Sequence, residues 1–145
     1  MKQIKHILLF AAAFIVFLAA CKKNNDNKNN SASIIGKWSK VNEIDWYSSL
    51  TGTSLEKDTT VAQPGEYADF RNDGKVYGYY WDFTGFERDT ATYTVNGTTL
   101  YLDYGGGADG RDTFQIQTLT SNKLMLYQKY NDGTYIDEYW ENFTK

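Results

Sequence analysis

The stretch Tyr93-Thr94-Val95-Asn96-Gly97-Thr98-Thr99-Leu100 indicates the fold of this chain. Asn-Gly supplies the positive backbone φ angles that a two-residue hairpin turn requires. Apolar residues alternate with polar ones on both sides of the turn, with Tyr93 before it and Leu100 and Leu102 after it. A period of two places the apolar side chains on one face of a strand. The segment therefore predicts an antiparallel β-hairpin with one buried face.

Similar turn signals recur along the chain, among them Asn72-Asp73-Gly74, Ser121-Asn122 and Asn131-Asp132-Gly133. Evenly spaced hairpins predict an all-β sandwich or barrel. We expect strands at Gly36–Tyr47, Gly65–Arg71, Lys75–Phe83, Asp89–Val95, Thr98–Tyr104, Arg111–Leu119, Lys123–Tyr130 and Thr134–Phe143. Eight antiparallel strands can close into an up-and-down barrel, which is either filled by side chains or holds one small ligand.

The segment Ser48–Pro64 lies between the first two predicted strands and shows no regular pattern. Long irregular loops are uncommon in compact domains and are often functional. We therefore expect this segment to be a loop that acts as a partial lid on the barrel.

The N-terminal part of the chain has a short apolar run that ends at a lone cysteine. Ile7–Ala20 is an apolar run that follows Lys2 and Lys5 and is shorter than the roughly 20 residues of a membrane-spanning helix. Leu18-Ala19-Ala20-Cys21 then resembles a bacterial lipobox, with Cys21, the only cysteine, as the site of lipid attachment. We expect residues 1–20 to be a cleaved signal peptide, residues 21–33 a polar tether and residues 34–145 the folded domain.

Composition limits the chemistry of the domain. Without Lys2 and Lys5 the formal charge changes from −3 to −5, which argues against nucleic-acid binding. The only histidine is His6, inside the expected signal peptide, so the mature chain has no histidine for catalysis or metal binding. Asp103, Asp109 and Asp112 match no calcium-loop spacing. We predict a protein that is not an enzyme and that has no metal site, catalytic residue or cofactor.

The domain begins with Ile34-Ile35-Gly36-Lys37-Trp38, and a Gly-x-Trp at the start of the first strand resembles the lipocalin signature. Together with Glu66–Lys75, Tyr93–Leu100 and Leu119–Leu124, it resembles the lipocalin-like domains of Bacteroidota lipoproteins. The resemblance implies that Trp38 packs across the barrel floor and that Gly36 allows a close approach there. It also implies attachment to the outer membrane, for which the residues after Cys21 favour the periplasmic face over the cell surface.

Four aromatic residues, Tyr77, Tyr79, Trp81 and Phe83, fall on one face of the third predicted strand, with Tyr80 opposite. Aromatic rings combine a large apolar area with a polar handle, so this face is our candidate ligand-binding surface. We expect a monomeric, lipid-anchored envelope protein that binds a small apolar or amphipathic ligand. The alternative is a solid-cored interaction module whose outer aromatic residues contact another envelope protein or a glycan.

Overall fold

The computed structural model describes residues 32–145, which form antiparallel β-strands joined mainly by tight turns. The expected signal peptide, Cys21 and most of the expected tether lie outside these residues. One short 3-10 helix, Gly107–Gly110, precedes β7, and no helix in the described range is long and apolar enough to cross a membrane. The strands are β1 (Gly36–Ser49), β2 (Ser54–Val61), β3 (Tyr67–Phe70), β4 (Lys75–Trp81), β5 (Phe86–Asn96), β6 (Thr99–Asp103), β7 (Arg111–Leu119), β8 (Lys123–Asn131) and β9 (Tyr135–Thr144).

Eight of these strands close into a barrel, which confirms the predicted architecture. β1 and β3 through β9 pair in that order, and β9 returns to pair with β1 between Ser39 and Ser49. The Asn96-Gly97 turn lies where the sequence predicts it, since Asn96 pairs with Thr99 and Gly97 has a φ of 60°. Because each strand is antiparallel to its neighbour, the barrel is of the up-and-down type.

The expectation of an irregular loop over Ser48–Pro64 is wrong. Residues Ser54–Val61 form β2, which pairs with the second half of β1 from Val61 opposite Asn42 to Ser54 opposite Ser48. Every residue of β2 is exposed, so the strand has no buried face and no apolar alternation to reveal it. It forms because β1 continues past β3 and offers its unpaired backbone groups to this segment.

The end of the barrel where β1 begins is closed by packed side chains, and we call it the floor. Its fully buried members are Trp38, Phe70, Leu100 and Leu124. The indole N–H of Trp38 donates a hydrogen bond of 2.6 Å to the backbone oxygen of Ile34, which is also buried. Gly36 has a φ of 126°, and a Cβ there would lie 3.2 Å from the side chain of Lys145. The two ends of the folded domain, at Gly36 and Lys145, therefore meet beneath the floor.

Candidate functional site

Above the floor, the barrel encloses a cavity of about 530 Å³ that opens at the opposite end, which we call the mouth. This volume is within the range of roughly 300–1,000 Å³ that is typical of small-molecule sites. The lower wall is apolar and includes Ala68, Phe70, Val76, Leu102 and Leu126. The interior is thus neither filled by side chains nor uniformly apolar, because charged and phenolic groups line its upper part.

A β-bulge in β1 places two charged residues of this strand inside the cavity. The pairing of β1 with β9 shifts between Lys40 and Asn42, so Val41 is an extra residue. In a regular strand, residues three apart point to opposite faces. The bulge reverses the alternation, and Lys40 and Glu43 both line the cavity.

Lys40 and Glu43 join two residues of β9 in a polar cluster. The Nζ atom of Lys40 lies 2.7 Å from Oε2 of Glu43 and 3.0 Å from Oε1 of Glu141. The hydroxyl of Tyr139 donates a hydrogen bond of 2.8 Å to the same Oε2 of Glu43. We call Lys40, Glu43, Tyr139 and Glu141 the inner cluster.

The pKa values of the inner cluster reflect both burial and pairing. Burial opposes the charge on Lys40, but Glu141 and Glu43 outweigh it and raise its pKa. Burial likewise opposes the charge on Glu43, but hydrogen bonds from Lys40 and Tyr139 lower its pKa. Burial, followed by the neighbouring carboxylates, raises the pKa of Tyr139. At neutral pH Lys40 is therefore charged, Glu43 is ionised and the phenol of Tyr139 is neutral.

Glu66 connects β1 with the upper end of β4. It is 7% exposed, and its Oε1 accepts a hydrogen bond of 3.0 Å from the backbone N–H of Trp81. Its backbone oxygen accepts a hydrogen bond of 3.0 Å from the N–H of Lys40. Glu66 therefore positions the segment between β2 and β3 against the cavity wall while leaving a second carboxylate oxygen for other contacts.

A second carboxylate pair, Asp45 and Asp137, lies on β1 and β9 farther toward the mouth. Burial, and then the hydrogen bond and charge of Asp137, raise the pKa of Asp45 to about 6. Within the described residues, the buried Oδ1 of Asp137 has no hydrogen-bond partner. The charge of Asp137 disfavours the charged form of Asp45, as like charges do at short distance.

The four aromatic residues singled out from the sequence do not form one continuous wall. Tyr77, Tyr79 and Trp81 do share a face, but the strand register makes it the outer face, because the alternating residues Val76 and Gly78 line the interior. Tyr77 lies outside the cavity, where its ring contacts the Arg71 guanidinium at 4.1 Å. Tyr79 and Trp81 reach the cavity boundary.

Phe83 lies beyond β4, which ends at Trp81 and not at Phe83 as the sequence predicts. It has a φ of 73° and is 91% exposed in the turn to β5. The carboxylate of Asp82 fixes this turn by accepting hydrogen bonds from the N–H groups of Thr84 and Gly85. Phe83 is thus held at the mouth and borders the cavity there.

Sequence reasoning missed the tyrosines that do line the interior, namely Tyr80, Tyr104 and Tyr139. The sequence places Tyr80 on the face opposite the candidate surface, and this opposite face turns inward. Burial, followed by the charges of Asp112 and Asp89, raises the pKa of Tyr104, so this phenol also stays neutral. Alternation predicts which residues share a face but does not say which face is inner when both carry aromatic residues.

Comparison with known proteins gives results at the level of sequence and of structure. The family model described as a lipocalin-like domain matches residues 34–126. No curated protein matches the chain.

Solved structures with similar folds include a lipocalin-like protein from Bacteroides uniformis, 18% identical over 77% of this chain and 96% of that one, with a TM-score of 0.48. A bovine odorant-binding protein in complex with undecanal is 17% identical over 86% of this chain and 76% of that one, with a TM-score of 0.42. The family match extends over more than half of the chain and includes Gly36 and Trp38. The chain therefore belongs to the family of lipocalin-like domains.

Proposed function

We propose that this protein binds a small apolar or amphipathic molecule inside its barrel. The observation that carries the proposal is the cavity of about 530 Å³, with an apolar lower wall and an open mouth. Burial of apolar ligand surface contributes roughly 25 cal/mol per Å², so such a wall gives a ligand a driving force for entry. The role is binding and not catalysis.

A cavity-filling substitution tests this proposal. Gly78 lines the cavity, and a Cβ added there would have only the Cβ of Asp89 nearby, at 4.0 Å. We expect the wild type to bind N-phenyl-1-naphthylamine, a neutral apolar dye, with an increase in dye fluorescence. Gly78→Phe should abolish this increase because the new ring occupies the cavity.

Thr90→Phe is the matched control, since Thr90 is an exposed residue of β5 opposite the outward-facing Tyr77. It adds the same ring to the outside of the barrel and should leave dye binding unchanged. Thermal unfolding of both variants checks that they fold. A wild type that binds no dye, or a folded Gly78→Phe that binds it normally, contradicts the proposal.

We propose further that Cys21 carries a lipid that holds the protein at the periplasmic face of the outer membrane. The support is the sequence Leu18-Ala19-Ala20-Cys21 and the polar residues that follow it. Labelled palmitate should be incorporated into the wild type and not into Cys21→Ser, and membrane fractionation should find the wild type in the outer membrane. Protease treatment of intact cells should leave it intact, and its digestion would place it on the cell surface.

The cavity argues against the alternative of a solid-cored interaction module. The aromatic residues of the outer face also largely contact one another, since the rings of Tyr79 and Phe86 stack at 4.7 Å and Lys37 covers the ring of Tyr67 at 3.6 Å. A stoichiometric partner recovered from solubilised membranes, and lost on replacing Tyr79, would favour the alternative.

A further inference from the structure

We infer that the ligand of this cavity is an amphipathic cation, with an apolar body and a protonated or quaternary amine. The inference rests on the proposed function and adds the charge of the ligand to it. It follows from the charges that line the cavity, from the pairing of those charges and from the aromatic groups beside them.

The cavity wall is strongly acidic. It contains five carboxylates and a single basic residue, Lys40, a formal charge of −4 in the space that would surround a ligand. The carboxylates are Glu43, Glu66, Asp82, Asp89 and Glu141. The folded domain, residues 34–145, contains ten basic and seventeen acidic residues, a formal charge of −7, so more than half of its net negative charge lies at the cavity. Walls of low dielectric constant focus such a field and favour ligands of the opposite charge.

The one cation in the wall is already engaged. Lys40 contacts the carboxylates of Glu43 and Glu141, and its side chain is only 13% exposed. A fatty acid would have to bring a third carboxylate to this ammonium. Because a charge removed from water needs a partner of opposite sign, the inner cluster disfavours an anionic ligand.

Two carboxylates in the wall, those of Glu66 and Asp89, form no ion pair with any described residue. Asp89 on β5 pairs with Gly78 on β4. Because Gly78 has no side chain, the part of the cavity beside Asp89 stays open. A ligand amine in this space would reach Asp89 without displacing a protein cation.

Aromatic rings lie beside the same space. Tyr80 and Tyr104 line the cavity and are 40% and 41% exposed. The face of an aromatic ring attracts an organic cation. The combination of a carboxylate with two aromatic rings is suited to an alkylammonium group, while the apolar lower wall accommodates a hydrocarbon chain.

Three probes with the same chain length test the inference, namely decyltrimethylammonium, decanol and decanoate. Each is titrated below its micelle concentration against the bound N-phenyl-1-naphthylamine dye at neutral pH. We expect the cation to bind at least tenfold more tightly than decanoate, with decanol between them. Added salt should reduce the difference.

Asp89→Asn should reduce the ratio of cation to decanoate affinity at least threefold. Asp73→Asn, in the turn between β3 and β4 at the floor end, removes one charge outside the cavity and should leave the ratio unchanged. Equal or tighter binding of decanoate overturns the inference, as does dye binding without displacement by the cation. Both results leave the proposed function standing, whereas a wild type that binds no dye removes it.

Discussion

Replacement of Lys40 by Met tests the account of the inner cluster most directly. The substitution keeps most of the side-chain volume but leaves Glu43 and Glu141 facing each other without a cation. Removing one partner of a buried ion pair costs about 3–5 kcal/mol, and of an exposed pair about 0–1 kcal/mol. Lys40 is 13% exposed and Glu43 32%, so the cluster lies between these limits. We expect Lys40→Met to lower the free energy of unfolding by about 2–3 kcal/mol at pH 7.

The cost should depend on pH in a defined direction. In the wild type the lowered pKa of Glu43 contributes stability that is present above about pH 4.5 and is lost as the pH falls. Without Lys40, burial and the nearby carboxylate of Glu141 should raise the pKa of Glu43. The free energy of unfolding of the variant then falls as the pH rises above the pKa that Glu43 has in the unfolded chain. The difference between the two proteins should therefore be largest at pH 7 and small at pH 4.

Urea unfolding at both pH values measures this difference. Lys129→Met is the matched control, because Lys129 lies 3.5 Å from Glu138 with its side chain 47% exposed. The free energy of unfolding of the control should fall by less than about 1 kcal/mol, because an exposed ion pair contributes little to stability. An equal cost for the two substitutions at pH 7, or a Lys40→Met cost that is the same at pH 4, would refute the reasoning.

Three further predictions concern the floor, a turn and the carboxylate pair. Trp38→Phe removes the hydrogen bond to Ile34 and part of a buried ring, and urea unfolding should show a loss of about 2–3 kcal/mol. Gly97→Val forces a branched side chain into a positive φ, and the same assay should show a loss of about 1–2 kcal/mol. Because the pKa of Asp45 is raised to about 6, the folded protein holds this proton more tightly than the unfolded chain does. The resulting stabilisation is lost as the pH rises from about 4 through about 6. Asp45→Asn should flatten that decline and shift the urea midpoint upward at pH 7.5, whereas an unchanged profile would show that the pKa of Asp45 is not raised in the folded state.

The sequence predicts the barrel well because the signals of its hairpins are local. Asn96-Gly97 specifies its own turn, and the alternation around it specifies a buried face, so the pairing of β5 with β6 needs no distant information. The second strand could not be predicted in this way. Residues 54–61 have no buried face, and they become a strand only because the second half of β1 lacks a neighbour on that side.

The site is less accessible to sequence reasoning than the fold. Lys40 and Glu43 are three residues apart, so regular alternation separates them, and only the bulge at Val41 places both inside. Strand β4 illustrates the same difficulty. The small residues Val76 and Gly78 face the interior, and the larger Tyr77 faces outward. A small residue opens space for a ligand, and composition does not distinguish such an opening from a turn or a weak strand position.

Both ends of the folded domain lie at the floor, where Nζ of Lys145 donates a hydrogen bond of 3.2 Å to the backbone oxygen of Ile35. Within residues 32–145, the rim of the mouth is built from connections between strands, at residues 50–53, 82–85, 104–110 and 132–134. Rim and floor can thus diversify separately during evolution. Insertions in the rim would alter which molecules enter, while the packing that holds the barrel together is inherited unchanged. A sensor made from residues 32–145 could likewise be immobilised through either end without blocking entry.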